Sequence, residues 1–293
     1  MISVVIPTYR RHERLEALLE ALRLQTFPPD EVVVVDQTPQ ADRPSGFYER
    51  FSDLPMVLID LEYPSLSGSR NIGAKKAKGE YLLFLDDDMI IDDSLIGNHV
   101  KVMDNERVDV VYGAISTTGE LPETYKRDTI RMDPLGFFLK SPNKNWSGMT
   151  LVTSGANTMI RSQLFASVEG YDENMPRMED IELGYRLYLK GAKIYYSALP
   201  HAIHDAAPTG GTRSTQNDMI YARVFSKVYL YRRHFAGWTT TQFYLLIMKN
   251  AFTYRDPISG AFYLSHLKKL YWPIYVIGLL VKAHLEAKRL LES

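Results

Sequence analysis

An apolar run that ends in three consecutive carboxylates is the feature of this sequence that most constrains its fold. Residues 81–85 are apolar, Asp86, Asp87 and Asp88 follow, and residues 89–91 are apolar again. Such a run is typical of a strand buried on both faces of a parallel sheet, and open α/β sheets bind ligands at the carboxyl ends of their strands. Because adjacent carboxylates repel one another, we expect a positive species, first of all a hard divalent cation, to offset their charge. The alternative is a solvated loop before a helix at 94–104.

Strands and helices alternate along the first half of the sequence. Apolar runs at 2–6, 31–35 and 56–59 predict strands, while the spacing of apolar residues between 13 and 24 predicts a helix. A second helix is predicted to begin in the Ser- and Gly-rich stretch at 66–73. Short loops between alternating elements predict an α/β fold with a mixed, mainly parallel sheet that is flanked by helices.

Further elements are predicted in the second half. Short strands are expected at 109–112, 154–160 and 194–196, and the apolar spacing after Glu179 predicts a helix. The stretch at 113–150, which contains Trp146, is predicted to be irregular; a loop of this length in a compact domain is usually functional, so we interpret it as an active-site flap.

Composition excludes several classes of protein. The chain has no Cys, which excludes disulfides, thiol catalysis and thiolate metal sites and suits a reducing, cytoplasmic compartment. Its 34 basic and 35 acidic residues argue against nucleic acid as a partner. No signal peptide is recognisable, and the apolar uncharged stretch at 270–281 is shorter than the about 20 residues of a membrane-spanning helix.

The charge is divided unevenly along the chain. Residues 213–293 carry twelve Lys or Arg against four Asp or Glu, and they hold 15 of the 34 aromatic residues. Residues 217–234 have the pattern of an amphipathic basic helix. We therefore predict an acidic, sheet-forming domain at 1–212, with halves at 1–112 and 113–212, and a basic aromatic helical extension at 213–293. The extension is expected to contact a membrane peripherally, at the inner face, or to pack on the catalytic domain or a second subunit.

Several polar residues stand at predicted strand or helix ends. Asp36 follows the second strand, where an acid can bind ribose or base, although a plain turn residue is the simpler interpretation. Glu179 and Asp180 begin a helix, where acids are favoured by the helix dipole, or where one of them acts as a general base. His204 follows a strand and could complete a site for Mn²⁺ or Mg²⁺. The small residues after Ser154 would let a ligand approach the backbone.

Taken together, these stretches resemble the inverting family 2 glycosyltransferases of GT-A fold. The matching segments are residues 5–9, 34–36, 69–73, 84–88, 155–157, 170–173 and 179–180. They occur in the family's order over about residues 1–205, and the set is more specific than any one of them. Nothing after about residue 213 matches.

The resemblance implies a nucleotide diphospho-sugar donor, linked to UDP or dTDP, a carbohydrate or lipid-linked acceptor, and Mn²⁺ or Mg²⁺. It implies that Asp88, Asp86 and His204 hold the metal and that Asp180, with Glu179 beside it, is the general base. Gly155, Ala156, Asn157 and Trp146 would form the acceptor and sugar pocket. The remaining residues would bind the donor: Pro7, Thr8, Tyr9, Arg10, Asp36, Arg70, Asn71, Asp86 and Asp87.

Two other functions stay open at this point. A nucleotidyltransferase also uses carboxylate-bound metal on an α/β sheet, but it would need a basic Gly-rich loop after the first strand, and residues 8–12 have the charge without the Gly. A module that binds nucleotide-sugar without turnover is the other, although the acidic pair at 179–180 argues against it. Pyrophosphate release would identify the first and the absence of turnover the second.

Overall fold

A computed structural model describes residues 1–118, 128–132, 138–142, 147–205, 216–235, 241, 244–245, 248 and 272–292. The strands are β1 (Ile2–Thr8), β2 (Glu31–Asp36), β3 (Met56–Asp60), β4 (Tyr81–Phe84), β5 (Met89–Ile91), β6 (Val110–Thr117), β7 (Asp128–Met132), β8 (Phe138–Pro142), β9 (Gly148–Thr150), β10 (Thr158–Arg161) and β11 (Ile194–His204). The helices are α1 (His12–Arg23), α2 (Leu66–Lys76), α3 (Leu95–Glu106), α4 (Ser162–Ser167), α5 (Glu179–Leu189), α6 (Gln216–His234) and α7 (Trp272–Glu292).

The main sheet has the order β3-β2-β1-β4-β10-β6-β11-β5, and β9 also pairs with β11. Strands β3, β2, β1 and β4 are parallel, as the sequence predicts, and so are β6 and β11. β10 runs antiparallel between β4 and β6, and β5 and β9 run antiparallel to β11. The α/β fold with a mixed sheet flanked by helices is thus confirmed.

Alternation along the buried strands creates two cores. Val4 and Ile6 belong to a cluster that also contains Leu15 and Leu18 of α1, whereas Val5 lies in the cluster on the opposite face. The second cluster includes Phe165 of α4 and Leu183 and Leu187 of α5. Since successive side chains of a strand point to opposite faces, an all-apolar strand requires helices on both sides of the sheet.

The structure corrects two predictions about the second half of the chain. Residues 113–150 are not simply irregular, because β6 continues to Thr117 and the strands β7, β8 and β9 lie within this stretch. The strand predicted at 194–196 extends to His204, with a bulge between Ser197 and His201. A single strand can therefore pair with β9 near its start and with β5 near its end.

By contact density the chain divides into two compact units. The first comprises Met1–Arg131, Leu139–Glu173 and Glu179–Arg213; the second comprises Met132–Phe138, Asn174–Met178 and Ser214–Ser293. In the second unit, α6 packs against α7 through Val224, Val228 and Tyr231 from one helix and Val276 and Ala283 from the other, all buried. The apolar face of the predicted basic helix is therefore covered by α7.

Candidate active site

The carboxyl ends of β1, β2 and β4 open on one edge of the first unit. Thr8, the last residue of β1, pairs in register with Asp36 at the end of β2. Asp86, Asp87 and Asp88 follow directly after β4 on the other side of β1. The parallel register of β1 with β2 and β4 confirms the prediction that these strand ends share one edge of the sheet.

A cluster of polar side chains forms around the second and third of these carboxylates. Thr8 Oγ1 donates to Asp87 Oδ2 at 2.8 Å. Arg11 Nη1 lies 3.1 Å from Asp87 Oδ1 and 2.7 Å from Asp88 Oδ2. His204 Nε2 is 3.3 Å from the same Asp88 oxygen, because the antiparallel pairing of β5 with β11 places His204 opposite Met89. A guanidinium and an imidazole therefore meet one carboxylate.

These contacts separate the acidities of the two buried carboxyls. Burial raises the pKa of Asp87 to about 6, against which the Thr8 hydrogen bond and the Arg11 charge act only partly. Burial also raises the pKa of Asp88, but His204 and Arg11 outweigh it and hold that pKa below its ordinary value. The hydrogen bond to Asp88 in turn raises the pKa of His204. Asp88 is therefore ionised at neutral pH.

The Asp88 carboxylate and the His204 imidazole provide donor atoms that fit a divalent metal. Among the residues that the structure describes, no three His, Asp or Glu side chains converge as a ready-made metal site. Asp88 Oδ1, however, is buried and has no hydrogen-bond partner in the described part of the chain, while its carboxylate lies beside the His204 imidazole. Carboxylate oxygen and imidazole nitrogen suit Mn²⁺ or Mg²⁺. Asp86, the other expected ligand, is held by Arg70 instead.

Arg70 links the two groups of acids. Its Nη2 lies 2.6 Å from Asp86 Oδ1 and its Nη1 3.1 Å from Glu179 Oε1. The guanidinium is buried over the ring of Tyr171, 5.3 Å from the ring centroid. A Cβ at Gly155 would lie 2.5 Å from Arg70 Nη1, so only glycine leaves room for this arrangement. Gly155 therefore borders the Arg70 guanidinium.

The first turn of α5 holds the second acidic group. Asp180 Oδ2 accepts from the Gly155 backbone N–H at 3.3 Å, and Oδ1 accepts from the Ile181 N–H at 2.8 Å. Burial and then the charge of Glu179 raise the pKa of Asp180 to about 7, and Arg70 opposes this shift without cancelling it. A carboxylate whose pKa lies near neutral pH is suited to accept a proton.

Asp36, the residue expected to bind the nucleobase, is enclosed by side chains of the protein. Its carboxylate is fully buried, Oδ1 accepts from the Thr38 N–H, and Oδ2 is bonded to His12 and Tyr48 at 2.9 and 2.7 Å. Arg43 Nε is a further neighbour at 3.0 Å. Burial would raise the pKa of Asp36, but these hydrogen bonds outweigh it and lower the pKa. The Asp36 carboxylate thus joins loops to β2, and its contact with a nucleobase stays a prediction.

Three other expected site residues are used inside the protein. The Asn71 side-chain amide donates to the Tyr171 carbonyl oxygen and accepts from the Tyr171 N–H. These two hydrogen bonds hold the segment before α5 to α2. Ala156 lies in the core. Asn157, which has a left-handed φ of 55°, donates to two carbonyl oxygens and contacts His99 Nε2 at 2.7 Å. The sugar-pocket role of Ala156 and Asn157 and the donor-binding role of Asn71 stay predictions.

The remaining expected residues have simpler placements. Pro7 is buried within β1, and Tyr9 is half-buried beside it. Arg10 is exposed and pairs with Asp42, so its side chain is directed to the surface. Trp146 lies outside the described residues.

Sequence reasoning missed Arg11 as a neighbour of the acidic triplet. Arg11 comes directly after residues 7–10, which were predicted to bind the donor. The basic run at 10–12 was the only local sign that a positive charge lies near the triplet. The partners of Asp36 gave no such signal, because His12, Arg43 and Tyr48 come from separate segments.

Comparisons with known proteins agree with this architecture. The model of the family Glycosyl transferase family 2 matches residues 3–168. The O-antigen biosynthesis protein RfbC of Myxococcus xanthus is 27% identical over 221 residues, which are 69% of this chain but 17% of RfbC. The match therefore takes in a small part of that protein.

Two solved structures share the fold. The crystal structure of S. aureus TarS 1–349 in complex with UDP-GlcNAc aligns with a TM-score of 0.62 at 17% identity, over 98% of this chain and 90% of TarS. GalNAc-T7 with UDP, GalNAc and Mn²⁺ aligns with a TM-score of 0.67 at 15% identity, over 94% of this chain and 54% of that protein. At these identities the likeness concerns the fold alone.

Proposed function

The chain belongs to glycosyl transferase family 2, with the GT-A fold, and from this premise we propose that it is a metal-dependent, inverting enzyme that moves a sugar from a nucleotide diphospho-sugar to an acceptor hydroxyl. The observation that carries the proposal is the pair of acidic groups joined by Arg70. Asp88 is kept ionised beside cationic groups, while Asp180 titrates near neutral pH. Donor activation needs an ionised carboxylate such as Asp88, whereas proton acceptance needs one that titrates near neutral pH, such as Asp180.

The donor side of the site is the carboxyl edge at β1 and β4. Asp88 and His204 would hold a divalent ion there, and that ion would act as a Lewis acid on the donor diphosphate. Thr8 fixes the orientation of Asp87 through its hydrogen bond. Arg70, buried and doubly paired, holds Asp86 and Glu179 in fixed positions. These residues orient the donor before reaction.

The acceptor side is the first turn of α5. Asp180 accepts the proton of the acceptor hydroxyl, whose oxygen forms a bond to the anomeric carbon as the bond to the diphosphate oxygen breaks. The proton ends on the carboxylate and the nucleoside diphosphate leaves with the electron pair. One displacement from the face opposite the leaving group inverts the anomeric configuration, with the charge development known from glycoside hydrolysis.

We further infer that residues 1–212 form the catalytic domain, with the donor site mainly in 1–112 and the acceptor site in 113–212. The partners we assign are a UDP- or dTDP-linked sugar and a carbohydrate or lipid-linked acceptor. The UDP-GlcNAc complex of TarS supports the donor class, the Mn²⁺ in GalNAc-T7 supports the metal, and the O-antigen biosynthesis name of RfbC supports a role in polysaccharide synthesis.

The test is product analysis with a panel of UDP- and dTDP-sugars and carbohydrate acceptors in the presence of Mn²⁺ or Mg²⁺. We expect release of nucleoside diphosphate and a product whose anomeric configuration, read by NMR, is opposite to that of the donor. Pyrophosphate as the product would identify a nucleotidyltransferase. Binding of nucleotide-sugar with neither transfer nor hydrolysis would identify a binding module.

The outer face of α7 supports a second, finer proposal. None of the helices in the described part of the chain is long and apolar enough to cross a membrane. Tyr275, Val281 and Leu285 are nevertheless exposed on one stripe of α7, together with Lys282 and basic residues at 288–289. Apolar and basic side chains on one helix face favour the interface of an anionic membrane, where each basic residue adds about 1 kcal/mol. We place the protein at the inner face of the membrane.

Flotation with anionic liposomes tests this proposal. The full chain should float with the vesicles at low salt, and Val281→Ser/Leu285→Ser should lower the bound fraction. Leu24→Ser is the matched control, since Leu24 is an equally exposed apolar residue of the first unit. A chain that stays with the soluble fraction at low salt would contradict membrane contact, and a dimer that the double variant dissociates would assign the stripe to subunit pairing.

A further inference from the structure

Arg11 occupies the position in the acidic cluster where the sequence led us to expect a metal. The residue immediately precedes α1, and its guanidinium bridges Asp87 and Asp88 at 3.1 and 2.7 Å. Arg70 provides the other charge, at 2.6 Å from Asp86. Two guanidinium groups therefore stand opposite three carboxylates, and the repulsion within the triplet is offset by the protein itself.

A divalent ion that binds Asp88 has to compete with Arg11. The Asp88 oxygen that Arg11 contacts is also the one next to His204, so a cation bridging Asp88 and His204 would approach the guanidinium closely. A guanidinium keeps its charge at all accessible pH values and cannot be neutralised to make room. Coulomb repulsion between the two cations is strong in a partly buried site. A metal that bridges Asp88 Oδ2 and His204 thus requires the Arg11 side chain to move.

Arg11 and Arg70 differ in their freedom to do so. Arg70 is wedged between the Tyr171 ring and the Gly155 backbone and is 1% exposed, whereas the side chain of Arg11 is 12% exposed at the rim of the cluster. A displaced Arg11 would lie beside the edge at which a diphosphate binds. Guanidinium groups bind phosphate oxygens through paired, charge-assisted hydrogen bonds.

We propose that Arg11 is an internal counter-ion of the acidic cluster, which a divalent metal displaces from Asp88 and which then binds the donor diphosphate, so that metal and nucleotide bind cooperatively. The proposal rests on the proposed function, because it assumes a metal and a nucleoside diphosphate at the same edge. The proposal predicts a coupling free energy between the two ligands, because either one lowers the cost of moving Arg11 from Asp88 for the other. The metal strengthens nucleotide binding by the same factor by which the nucleotide strengthens metal binding.

The experiment measures the Kd of MnCl₂ for the full chain by calorimetry, without nucleotide and with saturating UDP. In the unaltered protein, UDP should tighten Mn²⁺ binding by a factor of about 5 or more, the usual lower bound for coupled sites. In Arg11→Gln, Mn²⁺ without UDP should bind more tightly than in the unaltered protein, since its competitor is gone. The effect of UDP on Mn²⁺ affinity should then be smaller.

Two further variants control the result. Arg50→Gln removes the same charge from an exposed pair with Glu16 and should leave both Mn²⁺ affinities unchanged. Arg11→Lys keeps the charge but cannot bridge two carboxylates through a planar fork, and its values should lie between those of the unaltered protein and Arg11→Gln. Circular dichroism shows which variants remain folded, and Arg11→Lys tests the proposal if Arg11→Gln does not fold.

Either of two results would overturn the proposal. Unchanged Mn²⁺ affinities in the folded Arg11 variants would show that Arg11 does not compete with the metal, and weaker Mn²⁺ binding without UDP would make Arg11 a support of the metal site. Assays of UDP release from UDP-sugars on the same samples separate this failure from that of the proposed function. If UDP is released but the Arg11 variants leave Mn²⁺ binding unchanged, the proposed function stands and only the counter-ion role of Arg11 is contradicted.

Discussion

The carboxylates after β4 and those at the start of α5 are the same chemical groups in two different environments. Asp88 lies within hydrogen-bond or ion-pair distance of Arg11 and His204, and its pKa is lowered. Asp180 accepts two backbone hydrogen bonds and has the charge of Glu179 beside it, and its pKa is raised to about 7. Burial raises the pKa of both carboxyls, and the opposite net shifts follow the sign of the charges beside them.

The comparison shows how one residue type can serve two roles in a single site. A carboxylate that must attract a cation is held ionised by positive charge next to it, whereas one that must accept and release a proton has a second carboxylate as the strongest charge beside it. Arg70 Nη1 pairs with Glu179, and the Arg70 charge partly offsets the repulsion between Glu179 and Asp180. Arg70 Nη2 pairs with Asp86. The following changes test this division.

Asp88→Ala should have the largest effect. Removal of the ionised carboxylate leaves the metal without its main oxygen ligand, and several kcal/mol of transition-state stabilisation correspond to a loss of about 10⁴-fold in kcat/KM. The measurement is release of nucleoside diphosphate from the active donor. Asp104→Ala, which removes an exposed carboxylate from α3, is the control and should keep the normal rate. A rate within a few-fold of normal in Asp88→Ala would remove Asp88 from the site.

Asp180→Asn should lower kcat by about 10² to 10⁴-fold, the usual contribution of a general base. The amide preserves the shape of the side chain but cannot accept the proton. Steady-state kinetics with donor and acceptor gives the value, and Glu179→Gln serves as the companion variant. If Asp180→Asn has a near-normal rate and Glu179→Gln does not, the base is Glu179.

Gly155→Ala should lower kcat/KM by about 10 to 100-fold, since small displacements of positioned groups are costly. The added Cβ would lie 2.5 Å from Arg70 Nη1 and would push the guanidinium from both of its partners. In Gly97→Ala the added Cβ would meet only ordinary contact with Phe27 at 3.5 Å, so this variant should be fully active. Equal activity of the two variants would show that the Arg70 link is not needed.

The pH profile should show the smallest effect. Asp180 has to be ionised to accept a proton, so kcat/KM should fall by about tenfold per pH unit below its pKa and be constant above it. Because burial and Glu179 raise that pKa to about 7, the fall should begin near neutral pH. The residual activity of Asp180→Asn should lack this limb. A limb that persists unchanged in the variant would belong to another group.

The sequence predicted those parts of the fold and site that depend on local pattern. The apolar runs of β1, β2 and β4 and the acids after them are contiguous, so their place at one sheet edge follows from the parallel connection alone. The antiparallel direction of β10 could not be predicted, because an apolar run has no direction. The pairing of β10 is set by its neighbours β4 and β6.

Contacts between residues far apart in the chain could not be predicted from the sequence. Asp36 stands at a strand end, as a ligand-binding acid would, but His12 and Tyr48 close over its carboxylate. Asn157 follows two small residues, yet its amide is used to join β6 to the segment at Pro200. The end of β2 at Asp36 was identified correctly, whereas β10 begins at Thr158 and not at residue 154 as predicted. In both cases the hydrogen bonds of the side chain come from residues distant in the sequence.

The division of labour between the two acidic groups is tested most directly by calorimetry of UDP with MnCl₂ on Asp88→Asn and Asp180→Asn side by side. Asp180→Asn should bind UDP with an affinity within about twofold of the unaltered protein, since the lost interaction belongs to the transition state. In Asp88→Asn, Mn²⁺ should no longer strengthen UDP binding. Loss of the Mn²⁺ effect in Asp180→Asn together with its retention in Asp88→Asn would contradict the account.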